Sequence, residues 1–135
     1  MRKKQIKGLS LIELLCVLAI IGVIGAWGWP NYQRTLQRSQ RALARTALLQ
    51  AAHWLERSAS VNGGYPAPAQ VPAAVLKVEG DAYRLSVDSD SNRFLLKAEP
   101  QGAQLGDACG SLSLNHVGER GVMNASLTAA ECWRR

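Results

Sequence analysis

The chain has 135 residues and a mass of 14.6 kDa, room for one domain plus a targeting segment, which excludes a multidomain enzyme. Sixteen Lys and Arg against ten Asp and Glu give +6, but Arg2, Lys3, Lys4 and Lys7 crowd four of those charges ahead of residue 8. The remainder, with twelve bases and ten acids, is too nearly neutral for a strongly basic nucleic-acid binder, and a hydrophobic share of 47% excludes disorder.

Residues 14–29 read LLCVLAIIGVIGAWGW without a charge. With Leu9, Leu11 and Ile12 the apolar stretch reaches about twenty residues, enough to cross a bilayer as a helix. A cleaved secretory signal would be shorter and would end at a small-x-small site. This run ends instead in Trp27, Gly28, Trp29 and Pro30, residues that suit a membrane interface.

Gly8-Leu9-Ser10-Leu11-Ile12-Glu13-Leu14-Leu15, the apolar run behind it, and Pro30-Asn31-Tyr32-Gln33 together resemble the N-terminus of the type IV prepilins. The resemblance implies a leader over residues 1–8. A membrane prepilin peptidase would cut between Gly8 and Leu9 and N-methylate Leu9, where most relatives carry Phe. A carboxylate at the centre of a membrane helix costs about 2.5–3.5 kcal/mol, so Glu13 needs a partner or a function. Cleavage would create an ammonium on Leu9, one helical turn before Glu13. The resemblance makes Glu13 a docking residue for the amine of a neighbouring subunit; a snorkelling side chain is the plainer alternative. The basic leader places the N-terminus in the cytoplasm and the rest in the periplasm, although Arg34, Arg38, Arg41 and Arg45 load the other flank.

Those four arginines recur at spacings of 4, 3 and 4, which puts them on one narrow face of a continuing helix. Leu36, Leu43, Ala47 and Trp54 project from the opposite face. One helix is therefore expected from Leu9 to about Arg57, with residues 9–29 in the membrane or filament core and 30–57 an amphipathic continuation. Gly22, Gly25, Gly28 and Pro30 weaken its middle. The arginine stripe reads as a solvated or subunit-facing surface, with nucleic acid or anionic lipid as the sharper alternative.

Residues 58–135 form the expected head. The helix stops before Gly63-Gly64, and Pro66, Pro68 and Pro72 mark a connecting loop. Tyr83, Leu85 and Val87 alternate with polar neighbours, Asp88 to Asn92 reads as a turn, and Phe94 and Leu96 share one face of a second strand. Leu112 and Leu114 point inward from a third. The fold class is α+β: three or four antiparallel strands folded onto the amphipathic helix.

Cys16 falls in the membrane run and reads as a small apolar residue. Cys109 and Cys132 lie in the presumed periplasmic part, where a disulfide forms and persists. Their region, Cys109-Gly110-Ser111-Leu112-Ser113-Leu114-Asn115, Gly118-Glu119-Arg120-Gly121 and Cys132-Trp133-Arg134, resembles the C-terminal block of PilE-type minor pilins. The DNA-uptake pilin ComP has a similar disulfide-bounded block. Gly118 and Gly121 would shape a turn with Glu119 and Arg120 at its solvated tip.

Asp88, Asp90, Asn92 and Glu99 imitate a calcium loop, but Arg93 stands where the sharp turn requires Gly. His53 and His116 read as ordinary surface histidines. With no phosphate loop, nucleophile elbow or metal-ligand spacing, neither enzyme, metal nor cofactor is expected. The resemblance implies a structural minor pilin. It would sit in the inner membrane before assembly and then in the extracellular pilus, and it would help initiate pili that serve twitching motility and adhesion. Its expected partners are the prepilin peptidase, major and minor pilins and the inner-membrane assembly machinery. Two alternatives remain: a DNA-binding pilin for natural transformation, using exposed bases such as Arg120, Arg134 and Arg135, and a pseudopilin of a type II secretion system.

Overall fold

The structure is a computed structural model that describes residues 10–134. Gly8 and Leu9, the expected cleavage pair, and Arg135 lie outside the described residues. The chain forms two compact units, Met1–Leu36 and Gln37–Arg135. Helix α1 spans Leu11–Asn62. In the first unit its side chains are exposed all round, including the apolar residues from Leu11 to Ile24 and both Trp27 and Trp29. The helix continues through Pro30 even though that ring lacks the N–H that would bond the Ala26 carbonyl.

In the second unit α1 buries Ala44, Ala47, Leu48, Ala51 and Leu55, a stripe at helical spacing. The expected apolar face of Leu36, Leu43, Ala47 and Trp54 is therefore rotated. Leu36 is exposed, and Leu43 and Trp54 are only partly buried. Of the three alanines in the stripe, Ala47 belongs to the expected face, whereas Ala44 and Ala51 do not. The helix ends at Asn62, one turn beyond Arg57. Gly63 follows at φ +76°, and its N–H donates to the Ala59 carbonyl at 2.8 Å, a left-handed cap that glycine adopts without strain.

Four strands follow: β1 (Tyr83–Asp90), β2 (Arg93–Pro100), β3 (Ser111–Asn115) and β4 (Arg120–Met123). They form an antiparallel meander in the order β1-β2-β3-β4. The register pairs Leu85 with Ala98, Val87 with Leu96, Leu96 with Leu114, and Ala98 with Leu112. Because strand side chains alternate, this lines Leu85, Leu96, Ala98, Leu112 and Leu114 against the helix stripe, with Leu48, Leu55, Leu96 and Leu112 fully buried.

Two details depart from expectation. β1 runs on to Asp90, so the turn to β2 shrinks to Ser91 and Asn92. The Asp90 carboxylate accepts from the Asn92 and Arg93 N–H groups and pairs with the Arg93 guanidinium at 2.9 Å. The residues that imitate a calcium loop are thus strand and turn residues. At the other end only Gly118 (φ +80°) shapes the turn, while Arg120 and Gly121 belong to β4. Gly121 lies under Ser113, whose hydroxyl fills the space a Cβ would need.

Helix α2 (Ala129–Trp133) closes the chain. Thr128 accepts from the Glu131 N–H, while the Glu131 carboxylate accepts from the Thr128 N–H at 2.9 Å, a reciprocal cap. Cys132 in α2 is bonded to Cys109 just before β3, with the Cα atoms 5.7 Å apart and both residues fully buried. The closed loop spans a sequence separation of 23 residues. Replacing both cysteines by serine is expected to lower stability by about 3 kcal/mol on the loop-entropy argument. Urea unfolding of the chain in detergent micelles checks this, and an unchanged midpoint would contradict it.

Candidate functional site

In the first unit the feature of interest is Glu13, in the first turn of α1. Every neighbour from Leu11 to Leu18 along the helix is exposed, and Glu13 forms no salt bridge among the described residues. The helix is long and apolar enough to cross a membrane. A carboxylate on so apolar a helix is costly to bury in a membrane without a partner. Cys16 is a free, exposed thiol on the same helix.

In the second unit the arginine stripe has a structural use that its spacing did not reveal. Arg41 forms a two-point ion pair with Asp107: Nε reaches Oδ2 at 2.9 Å, and Nη2 contacts Oδ1. Asp107 also accepts from the Tyr83 hydroxyl at 2.8 Å and from Gln104 Nε2 at 3.1 Å. Gln104 donates in addition to the Gln37 carbonyl at 3.2 Å, which ties this cluster back to the helix. Asp107 and Gln104 are both buried. Burial alone would raise the Asp107 carboxyl, but the hydrogen bonds from Arg41 and Tyr83 outweigh it and hold the group below its ordinary range. The hydrogen bond to Asp107 raises Arg41 in turn. Burial, reinforced by Asp107, pushes the Tyr83 hydroxyl up to about 12.

One turn on, Arg45 donates to the Cys132 carbonyl at 3.4 Å and to that of Arg134. Burial, then the charges of Arg41 and Arg120, lower Arg45 from its ordinary value. The stripe is therefore not uniformly solvated. Arg34 and Arg38 are exposed, whereas Arg41 and Arg45 fasten the helix to the segment that carries the disulfide.

Of the candidate contact bases, Arg120 is not a free loop tip. Its guanidinium carbon lies 5.3 Å from the centroid of the Trp133 ring, a cation–π contact. The Trp133 Nε1–H donates to the Gly121 carbonyl at 3.1 Å. Arg134 is exposed at the C-terminal end of α2. Arg120 thus stacks on a buried indole, while Arg45 bonds the carbonyls of the two residues that flank it in the chain, Cys132 and Arg134. The sequence pattern singled out neither Asp107 nor Gln104, and it placed Tyr83 only in a strand and Trp133 only in the C-terminal block. The Arg41–Asp107 pair joins residues 66 apart, and no local pattern marks such a pair.

This architecture is that of a type IV pilin. It is similar to a type IV pilin from Shewanella oneidensis, with 34% identity and a TM-score of 0.55 over 73% of this chain and 99% of that one. The Neisseria meningitidis non-core minor pilin PilV shares the fold at 22% identity and a TM-score of 0.55, over 70% of this chain and 94% of that one. Residues 3–28 match the prokaryotic N-terminal methylation motif. Residues 30–113 match the family described as type IV minor pilin ComP, DNA uptake sequence receptor, and the chain belongs to that family. No curated protein matches it by sequence. Its family is one of structural pilins.

Proposed function

We propose that the chain is an assembly subunit of the type IV pilus, cleaved between Gly8 and Leu9, N-methylated on Leu9 and held in the inner membrane until it is incorporated. The observation that carries this reading is the helix from Leu11 to Trp29, apolar on every side and interrupted by a single carboxylate at Glu13. Lipid covers such a surface before assembly, and the equivalent helices of other pilins cover it afterwards. The new ammonium of a neighbouring subunit neutralises Glu13, so docking is specific in position. The N-terminus faces the cytoplasm and the head the periplasm, and the assembled head lies on the pilus surface. In this role the subunit helps initiate pili and so supports twitching motility and adhesion. The prepilin peptidase, other pilins and the inner-membrane assembly machinery are its partners.

A second reading, a DNA receptor for natural transformation, is favoured by the description of the matched family and by the Arg120 guanidinium on the Trp133 ring with Arg134 exposed beside it in the chain. Deleting the gene in its native host, then counting surface pili and scoring DNA uptake in the same cells, separates the two. Few or no pili supports the assembly role; normal pili with lost uptake overturns it in favour of the receptor.

The Glu13→Gln variant is expected to insert in the membrane normally but to be depleted in sheared pili by about tenfold or more, since a charge-assisted contact is lost in an apolar setting. Quantitative immunoblots of membrane and pilus fractions check this, and equal incorporation would contradict the docking role. Intact mass of the mature chain should show loss of residues 1–8, one added methyl group and two hydrogens missing for the disulfide.

A further inference from the structure

The head accounts for two of the four arginines in the stripe. Arg41 is held by Asp107, and Arg45 by the carbonyls of Cys132 and Arg134. Arg34 belongs to the first unit, is exposed, and forms no salt bridge among the described residues. The neighbouring sequence offers it no carboxylate either, because none occurs between Glu13 and Glu56. A guanidinium keeps its charge in any protein setting. Its counterpart is therefore water or an anion from outside the chain.

Position along the helix decides between the two. From Leu11 to Trp29 the helix rises about 28 Å, close to the roughly 30 Å of a hydrocarbon core. Trp29 thus stands at the far boundary of the apolar layer. Trp27, Trp29 and Tyr32 are 80%, 69% and 65% exposed, the aromatic belt that a membrane interface selects. Arg34 follows Trp29 by five residues, about 7–8 Å of further rise. The headgroup layer is about 5–8 Å deep on each side of the core, and helical side chains lean back towards the N-terminus. This brings the Arg34 guanidinium into the layer that holds the lipid phosphates. Trp27, seven residues earlier, lies on the same face of the helix, so ring and cation meet one stretch of lipid together.

We propose that Arg34 binds the phosphate of an anionic phospholipid in the periplasmic leaflet, with Trp27 packed beside it at the top of the acyl chains. The contact fixes the depth of the subunit in the membrane before assembly. A planar guanidinium donates two parallel hydrogen bonds to a phosphate. A headgroup without a choline ammonium leaves that phosphate unneutralised and is the better acceptor. Duplex DNA is the poorer partner, because a rigid duplex does not enter the headgroup layer. The proposal rests on the reading of residues 11–29 as a membrane span.

The test reconstitutes the full chain in nanodiscs of phosphatidylcholine alone and of phosphatidylcholine mixed equally with phosphatidylglycerol. Native mass spectrometry then counts the lipids that stay bound when the disc is dissociated. Arg34→Gln is expected to lower the ratio of retained phosphatidylglycerol to phosphatidylcholine by about fivefold, the contribution of one basic residue at an anionic surface. Arg38→Gln, four residues further from the apolar run, should lower it far less, because that position adds only diffuse attraction. Arg34→Lys keeps the charge and should keep most of the preference. The leader's bases are common to every variant and cancel in the comparison. In the isotope-labelled chain, the Nε–H signal that Arg34→Gln removes should shift when phosphatidylglycerol is present, and a short DNA duplex should leave it in place.

An unchanged lipid ratio in Arg34→Gln would overturn the proposal, as would an equal loss in Arg38→Gln or a signal that moves with DNA and not with phosphatidylglycerol. Insertion is read separately, from flotation of the chain with lipid vesicles after an alkaline wash. A chain that washes off overturns the membrane span together with this proposal. An inserted chain with no lipid preference overturns this proposal alone.

Discussion

Replacing Asp107 with alanine is expected to destabilise the folded chain by about 3–5 kcal/mol, the range for removing one partner of a buried ion pair. The loss exceeds that of an exposed salt bridge because Arg41 and Tyr83 lose an acceptor together, and the Asp107 side chain is only 1% exposed. Arg93–Asp90, at 74% and 53% exposure, provides the contrast; breaking that pair should cost about 0–1 kcal/mol. Chemical unfolding in micelles measures both. Adding Arg41→Met to the Asp107→Ala variant should restore part of the loss by removing the orphaned charge. A double variant no more stable than the single one would show that the carboxylate contributes chiefly by packing.

The same cluster sets a pH dependence at both ends. Asp107 is held below its ordinary value in the fold, so its contribution is present above the unfolded pKa of about 3.9 and is lost as pH falls through the lower folded value. Asp90 and Glu131 are held down too. The contribution of Asp107 is therefore the difference between the wild type and Asp107→Asn. Tyr83 behaves oppositely. Its folded pKa is raised to about 12, so its contribution is intact below the unfolded value of about 10 and disappears as pH rises through the folded one. Tyr83→Phe should flatten the alkaline limb of the midpoint against pH.

Gly110→Ala is the other substitution with a large expected effect, about 2–5 kcal/mol from left-handed backbone strain and overpacking together. Gly110 has φ +51°. A Cβ there would lie 2.6 Å from the Asn124 carbonyl oxygen and closer still to that of Met123. Both neighbours are backbone at the end of β4, and Cys109 beside it is tied to α2. Gly102 is an internal control: it has φ +53° but nothing within 4 Å of a Cβ, so Gly102→Ala should cost only the conformational strain, about 1–2 kcal/mol. Similar midpoints for the two variants would mean that the backbone around Met123 and Asn124 gives way freely.

How far the sequence discloses this molecule depends on the range over which each interaction acts. The apolar run, the glycine cap after Asn62 and the alternation in β1 and β2 are local patterns, and they appear in the structure where periodicity places them. The cysteine pairing followed from compartment and from the small number of candidates. The arginine stripe follows from the same helical arithmetic and is exposed at Arg34 and Arg38, but not at Arg41 and Arg45. A charged face ordinarily points to solvent, and only the approach of Asp107 and the C-terminal carbonyls turns Arg41 and Arg45 inward.

The two inward arginines also determine how the head transmits force. Arg41 grips Asp107 and Arg45 grips the Cys132 and Arg134 carbonyls, so the helix is fastened to the last segment of the chain directly as well as through the strands. Tension applied along α1 therefore has a path into the disulfide-bonded end that bypasses the hydrogen-bond ladders of the meander.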